Sequence, residues 1–166
     1  LLGQATEAGL VFERAVGLFA RQGNAVGQAA VALARAELSL AGHDATMTLA
    51  WAEKAGQGYA AAEQADGQNR AEVLRAFALL RLGRVNESAA VFTRTLACAR
   101  DLQQGQVQVR CLTGRGLACL ALGQRLAAGE AFEDAIELFE DQRRALPDDD
   151  MRRAFLTDHL RPYQER

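Results

Sequence analysis

The residues able to do chemistry are few and scattered in this 166-residue chain. Its two histidines, His43 and His159, stand far apart, and no His, Cys and Asp cluster has the spacing of metal ligands. A nucleophile needs a base within reach, and no Ser–His or Cys–His pairing is suggested. The three cysteines, Cys98, Cys111 and Cys119, are odd in number and lack CxxC spacing. They read as small buried hydrophobes in a reducing compartment. The stretch "GRGLAC" at 114–119 carries two glycines but follows no strand, so it fails the test for a dinucleotide-binding loop. The acidic run "EDAIELFED" at 133–141 reads as a solvated helix face rather than as paired catalytic carboxylates. Asn86-Glu87-Ser88 spells a glycosylation sequon, yet Asn86 reads as a helix cap. The expectation is a non-enzymatic protein with no metal and no cofactor.

The arginines are the remaining candidates. The chain holds 18 of them and a single lysine, Lys54. Residues 68–84 carry Arg70, Arg75, Arg81 and Arg84 against Glu72, and residues 106–125 carry Arg110, Arg115 and Arg125, a net of +3 in each segment. Segments 44–66 and 127–146 sum to −3 and −4. The planar fork of arginine can grip a carboxylate bidentately. A basic side that also carries Phe77, Leu80 and Leu117 suits a protein segment with acidic and apolar side chains. Arg70, Phe77, Leu80, Arg81, Arg110 and Leu117 are therefore the candidate partner contacts. The competing reading makes Arg35, Arg75 and Arg115 structural bridges between neighbouring units. Nucleic acid is not expected: the net charge is −2 and the basic side lacks interleaved aromatics. No apolar run approaches the roughly 20 residues of a membrane span, and no stretch reads as a signal peptide. A cytoplasmic protein without a membrane partner is expected.

The elements that must position these residues announce themselves by repetition. Gly3, His43, Gly83 and Gly123 fall in one column at a spacing of 40. Five, nine, twelve and sixteen residues after each anchor come further columns. They are Ala8/Thr48/Ser88/Ala128, Phe12/Ala52/Phe92/Phe132, Ala15/Ala55/Thr95/Ala135 and Phe19/Tyr59/Ala99/Phe139. Those offsets follow the 3.6-residue period of a helix and make one buried stripe. Seven and three residues before the later anchors stand Ala36/Ala76/Gly116 and Leu40/Leu80/Leu120, on a second helix. Thr6, Thr46 and Asn86 are expected as N-caps. Breaks between units are expected near Gln22-Gly23-Asn24, Ala65-Asp66-Gly67 and Gln103-Gln104-Gly105, each with a helix-ending glycine. The reading is helix–turn–helix repeated, with no strand. A single hairpin cannot bury both faces, whereas stacked copies share a continuous core.

This pattern resembles tetratricopeptide repeats over about residues 1–146. The family's small position in the first helix matches Ala36, Ala76 and Gly116. Its turn glycine matches Gly3, Gly83 and Gly123, and its small–aromatic–small series matches Ala8/Ala128, Phe12/Phe92/Phe132 and Ala15/Ala55/Ala135. The resemblance implies an all-α, right-handed superhelical solenoid whose first helices line a concave, protein-binding face. The period of 40 exceeds the family's usual ~34, as in bacterial regulatory and kinesin-light-chain-like variants. HEAT-type repeats have a similar length.

The chain opens abruptly on Leu1-Leu2, as if cut from a longer protein with a truncated first hairpin, which could self-associate. At the other end, Pro147 and three aspartates favour a helix start. Met151, Phe155, Leu156, Leu160 and Tyr163 follow at helical spacing, so 147–166 should cap the array. Arg152, Phe155-Leu156, Asp158 and Pro162-Tyr163 resemble the joint between tetratricopeptide arrays and the CHAT domain, a caspase-like protease domain of bacterial proteins. That resemblance implies the sensor or scaffold arm of a larger signalling protein, with any catalytic residues beyond Arg166. Alternatives from other classes are a small-molecule-responsive array of a transcription regulator and a structural self-association spacer.

Overall fold

A computed structural model of the chain describes residues 2–148 and Met151, with side chains described from Gly9 onward. The expected capping helix therefore lies outside the described residues apart from Pro147, Asp148 and Met151, as do the side chains of Thr6 and Ala8. Among the described residues seven full α-helices follow one another: α1 (Leu2–Arg21), α2 (Ala25–Ala41), α3 (Ala45–Ala61), α4 (Ala65–Arg81), α5 (Val85–Asp101), α6 (Gly105–Ala121) and α7 (Arg125–Arg144). No strand occurs among the described residues. Gly3, the first anchor, falls inside α1 rather than in a turn.

The five inner helices each have 17 residues and every link has three, so the true structural step is 20. All six links share one geometry. The middle residue (Gly23, His43, Glu63, Gly83, Gln103 or Gly123) has φ between +53° and +76°. Its N–H donates to the carbonyl three residues back, and the next N–H donates to the carbonyl five back at 2.9 Å. This paired closure of a helix C-terminus is the Schellman motif. The last residue of each link at once accepts the first bond of the next helix, as in Thr48 N–H to the Asp44 carbonyl.

The expected N-caps Thr46 and Asn86 were two residues late. The N-caps are Asn24 and Asp44, whose side chains accept from the N–H of Gly27 and Met47, and then Gln64, Arg84, Gln104 and Gln124, which make no such bond. Thr46 and Asn86 lie inside α3 and α5. Gly67 and Gly105 end no helix; they belong to the first turns of α4 and α6. They sit there for packing: a Cβ on Gly67 would meet the Tyr59 ring at 2.5 Å.

Each helix packs on its chain neighbours, and the even-numbered helices also touch in turn, α2 on α4 and α4 on α6. Among the described residues no corresponding contact joins α1 to α3, α3 to α5 or α5 to α7. The even helices thus form one continuous row and the odd helices a second, splayed row. Helix α4 serves two core clusters. Leu74 and Ala71 join Leu33, Ala36, Ala52 and Tyr59, while Val73, Ala76 and Leu79 join Phe92, Leu96, Cys111 and Leu112. The packing residues read from the sequence are in this core: Ala36, Ala55, Ala76, Phe92, Gly116 and Ala135 are buried. Phe12, Ala15 and Phe132 are half-buried because they lie on the end units. Volume is conserved between columns. Phe19–Gly27 and Tyr59–Gly67 are large-on-small pairs, and Ala99–Val107 reverses the order. Buried hydroxyls find carbonyls, with Ser88 donating to Ala76 O at 2.8 Å and Thr48 to Asp44 O at 2.7 Å.

Candidate interaction surface

With helix boundaries fixed, the charge distribution changes from the one read off the sequence. Asp66 belongs to α4 while Arg84 and Arg125 leave the even row, so α4 carries +1 and α6 carries +2. Helix α3 is neutral, with Glu53 against Lys54, and the acidic side reduces to α7, with six acidic residues against three arginines. The polarity is concentrated in the last hairpin.

On the even row, residues seven apart on one helix share a face. Arg70 and Phe77 stand so on α4, and Arg110 and Leu117 stand in the equivalent places on α6. The Arg110 guanidinium lies over the Phe77 ring at 5.9 Å, which ties the two helices at this face. Phe77 in turn meets Phe92 edge-on, with centroids 4.9 Å apart. Arg70 is exposed and contacts Glu37 of α2 at 3.3 Å, a long, solvated pair of small energetic weight. Leu117 is exposed. The other two candidates are placed differently. Arg81 donates its Nη1 to the Leu40 carbonyl at 2.6 Å, closing the C-terminal turn of α2 from the next unit. Leu80 is half-buried.

The arginine column one face over bridges units. Arg35 pairs with Glu13 of α1 and lies 4.4 Å from the Trp51 centroid and 5.5 Å from that of Phe12. Arg75, 40 residues on, contacts Glu53 of α3 at 3.6 Å and Glu72 at 3.0 Å. At Arg115 the series changes, because Thr93 occupies the place of Glu13 and Glu53. Sequence reading missed a polar chain: Asn69 donates to Gln104 Oε1 at 2.8 Å, and Gln104 Nε2 donates to Asp66 at 2.9 Å. It occurs in one unit only, so no column signalled it.

Among the described residues, groups suited to catalysis do not converge. Among the described residues no three His, Cys, Asp or Glu side chains could hold a metal. His43 is an exposed link residue. Of the cysteines expected to be buried, Cys111 is, and burial pushes its thiol up to about 12. Cys119 is half-buried and Cys98 is exposed on α5. At the start of α5, Arg84 grips Glu87 at 2.7 and 2.8 Å. That hydrogen bond holds the Glu87 carboxyl below its ordinary range and raises Arg84. No described helix is long and apolar enough to cross a membrane.

The fold and this surface define an all-helical repeat array. No family model, curated protein or solved structure matches the chain.

Proposed function

We propose that the chain is a non-enzymatic protein-binding module of tetratricopeptide type, and that its even-numbered row is the concave face of a right-handed solenoid. The contacts between α2, α4 and α6, absent between odd helices among the described residues, support curvature towards that row. The occupant is a protein segment with a carboxylate beside an apolar side chain. The observation that carries this reading is the two-by-two patch of Arg70, Phe77, Arg110 and Leu117 on adjacent helices. It combines two guanidinium groups, able to pair with carboxylates, with two apolar contacts. The tail's resemblance to a joint before a protease domain extends the proposal to the sensor arm of a larger cytoplasmic bacterial protein, and rests on sequence alone.

The test is selection of peptides from a random display library on the immobilised chain, with binding then measured in solution. Selected sequences should share an acidic and an apolar position. Arg110→Glu and Leu117→Glu should each weaken their binding roughly tenfold or more at unchanged helicity. Peptides without acidic residues, bound equally by both variants, would remove this surface from consideration.

A further inference from the structure

Three-residue links reverse the chain, so the links after α2, α4 and α6 lie together at one end of the helices. That end differs from the other. Counted with one flanking residue on each side, its links carry Arg81, Arg84 and Arg125 against Asp44, whereas those at the opposite end carry Glu63 and Asp101 against Arg21. Leu82 and Leu122 open two of its links and are each 41% exposed. Leu126, in the first turn of α7, is 87% exposed, more than any other large apolar side chain among the described residues. Local structure does not call for these leucines. The apolar contact that accompanies a Schellman closure comes from the residue after the left-handed one, which here is Arg84 or Gln124. Leu126 stands in the column of Thr46 and Asn86, both polar and exposed.

We propose that this end of the last two hairpins rests on an anionic lipid surface, with Leu82, Leu122 and Leu126 entering the acyl boundary and Arg81, Arg84 and Arg125 among the headgroups. Charge complementarity selects that occupant. All three arginines are exposed, and Arg125 makes no ion pair among the described residues. The carboxylates in and beside these links are both engaged: Asp44 accepts from Met47 N–H at 2.9 Å, and Glu87 is held by Arg84. No free carboxylate in these links therefore opposes an anionic surface. Shape points the same way. The leucines stand on the projecting ends of the helices and form no recess for a partner's side chain, and a fluid acyl boundary needs none. Leucine beside arginine is the pairing that holds a protein surface at the headgroup level. The expectation of no membrane partner rested on the lack of a spanning segment, which does not bear on a lipid surface met by the ends of helices.

The experiment is co-sedimentation of the full chain with vesicles of phosphatidylglycerol and phosphatidylcholine in equal parts, and with phosphatidylcholine alone. The chain should bind the mixed vesicles, bind the neutral ones more weakly, and lose affinity for the mixed ones as salt is raised. Leu126→Ser removes a side chain that stands in water, so helicity stays unchanged while binding weakens roughly tenfold or more. Arg125→Glu should weaken binding to the mixed vesicles only. Leu102→Ser, at the opposite end, should leave both unchanged. A parent chain that stays in the supernatant with the mixed vesicles overturns the proposal. So does Leu126→Ser binding as tightly as the parent, since another part of the chain then makes the contact. A dimer that forms with concentration and is lost in Leu126→Ser, without vesicle binding, makes a second copy the occupant and overturns it equally.

Discussion

The tip of the Phe92 ring abuts Gly114, so close that a Cβ on Gly114 would stand 2.2 Å from Cζ. Forty residues earlier the same pair is Ala52 and Leu74, with the bulk on the other helix. An alanine within a helix ordinarily stabilises by about 1 kcal/mol over glycine, but at Gly114 the overpacking term, about 1–3 kcal/mol, should exceed it. Gly114→Ala should therefore destabilise, while Gly129→Ala, with nothing within 4 Å of its added methyl, should stabilise. Urea midpoints of the two variants, measured side by side, should move in opposite directions.

The links carry a second reserve of stability. His43, Glu63 and Gln103 hold positive φ at places filled in the other three links by glycine. A side chain in that region costs about 1–2 kcal/mol. Gln103→Gly and Glu63→Gly should each raise stability by roughly 1 kcal/mol after the flexibility gained by the unfolded chain is subtracted. Gly83→Ala should lower it by a similar amount. Differential scanning of the three variants is enough to check the signs.

These positions also show what the sequence disclosed. The 40-residue columns are legible because each copy meets an equivalent neighbour, so Phe92, Ala76 and Gly116 could be placed before any coordinates. The half-step of 20 was hidden. Glu63 and Gln103 do a turn glycine's work, while the nearby Gly67 and Gly105 are packing residues, and those two glycines drew the expected breaks late. The late break at Gly67 left Asp66 off the even row, and the late caps kept Arg84 and Arg125 on it, which together overstated its charge. Arg70 with Arg110 and Phe77 with Leu117 repeat at the period, although charge and apolar character, not that repeat, marked them as candidates. Arg81 was not understood, since its partner is a backbone carbonyl 41 residues away that no residue type can announce.

Cys111 links burial to alkaline pH. Its thiol titrates near 12 in the folded chain, raised from 9.0 by desolvation, whereas the unfolded chain releases the proton near the ordinary value. A raised folded pKa means that the contribution is whole below pH 9 and is lost progressively up to about 12. Tyr59, also raised by burial, adds a loss in the same direction from pH 10 upward. Stability should fall between pH 9 and 10, by at most about 1.4 kcal/mol per pH unit for the thiol. Cys111→Ala should flatten that part of the profile. Thiol labelling at pH 8 should modify the exposed Cys98 and spare Cys111 until the chain unfolds.

Arg35 separates two forces that the sequence alone could not rank. Its guanidinium pairs with Glu13, which is largely solvent-exposed, and stacks 4.4 Å from the ring centre of Trp51 while itself nearly buried. An ion pair with one partner in water contributes about 0.2–1 kcal/mol at best. A desolvated cation over an indole can reach about 2 kcal/mol. The stacking should therefore dominate. Glu13→Gln should cost under about 0.5 kcal/mol. Arg35→Lys keeps the charge but loses the planar face, and should cost about 1 kcal/mol or more. Trp51 is the chain's single tryptophan, so its emission reports this contact directly. A spectrum altered by Arg35→Lys but not by Glu13→Gln, with stabilities in the same order, is the expected result. Equal losses from both substitutions would show instead that the carboxylate holds the arginine in place.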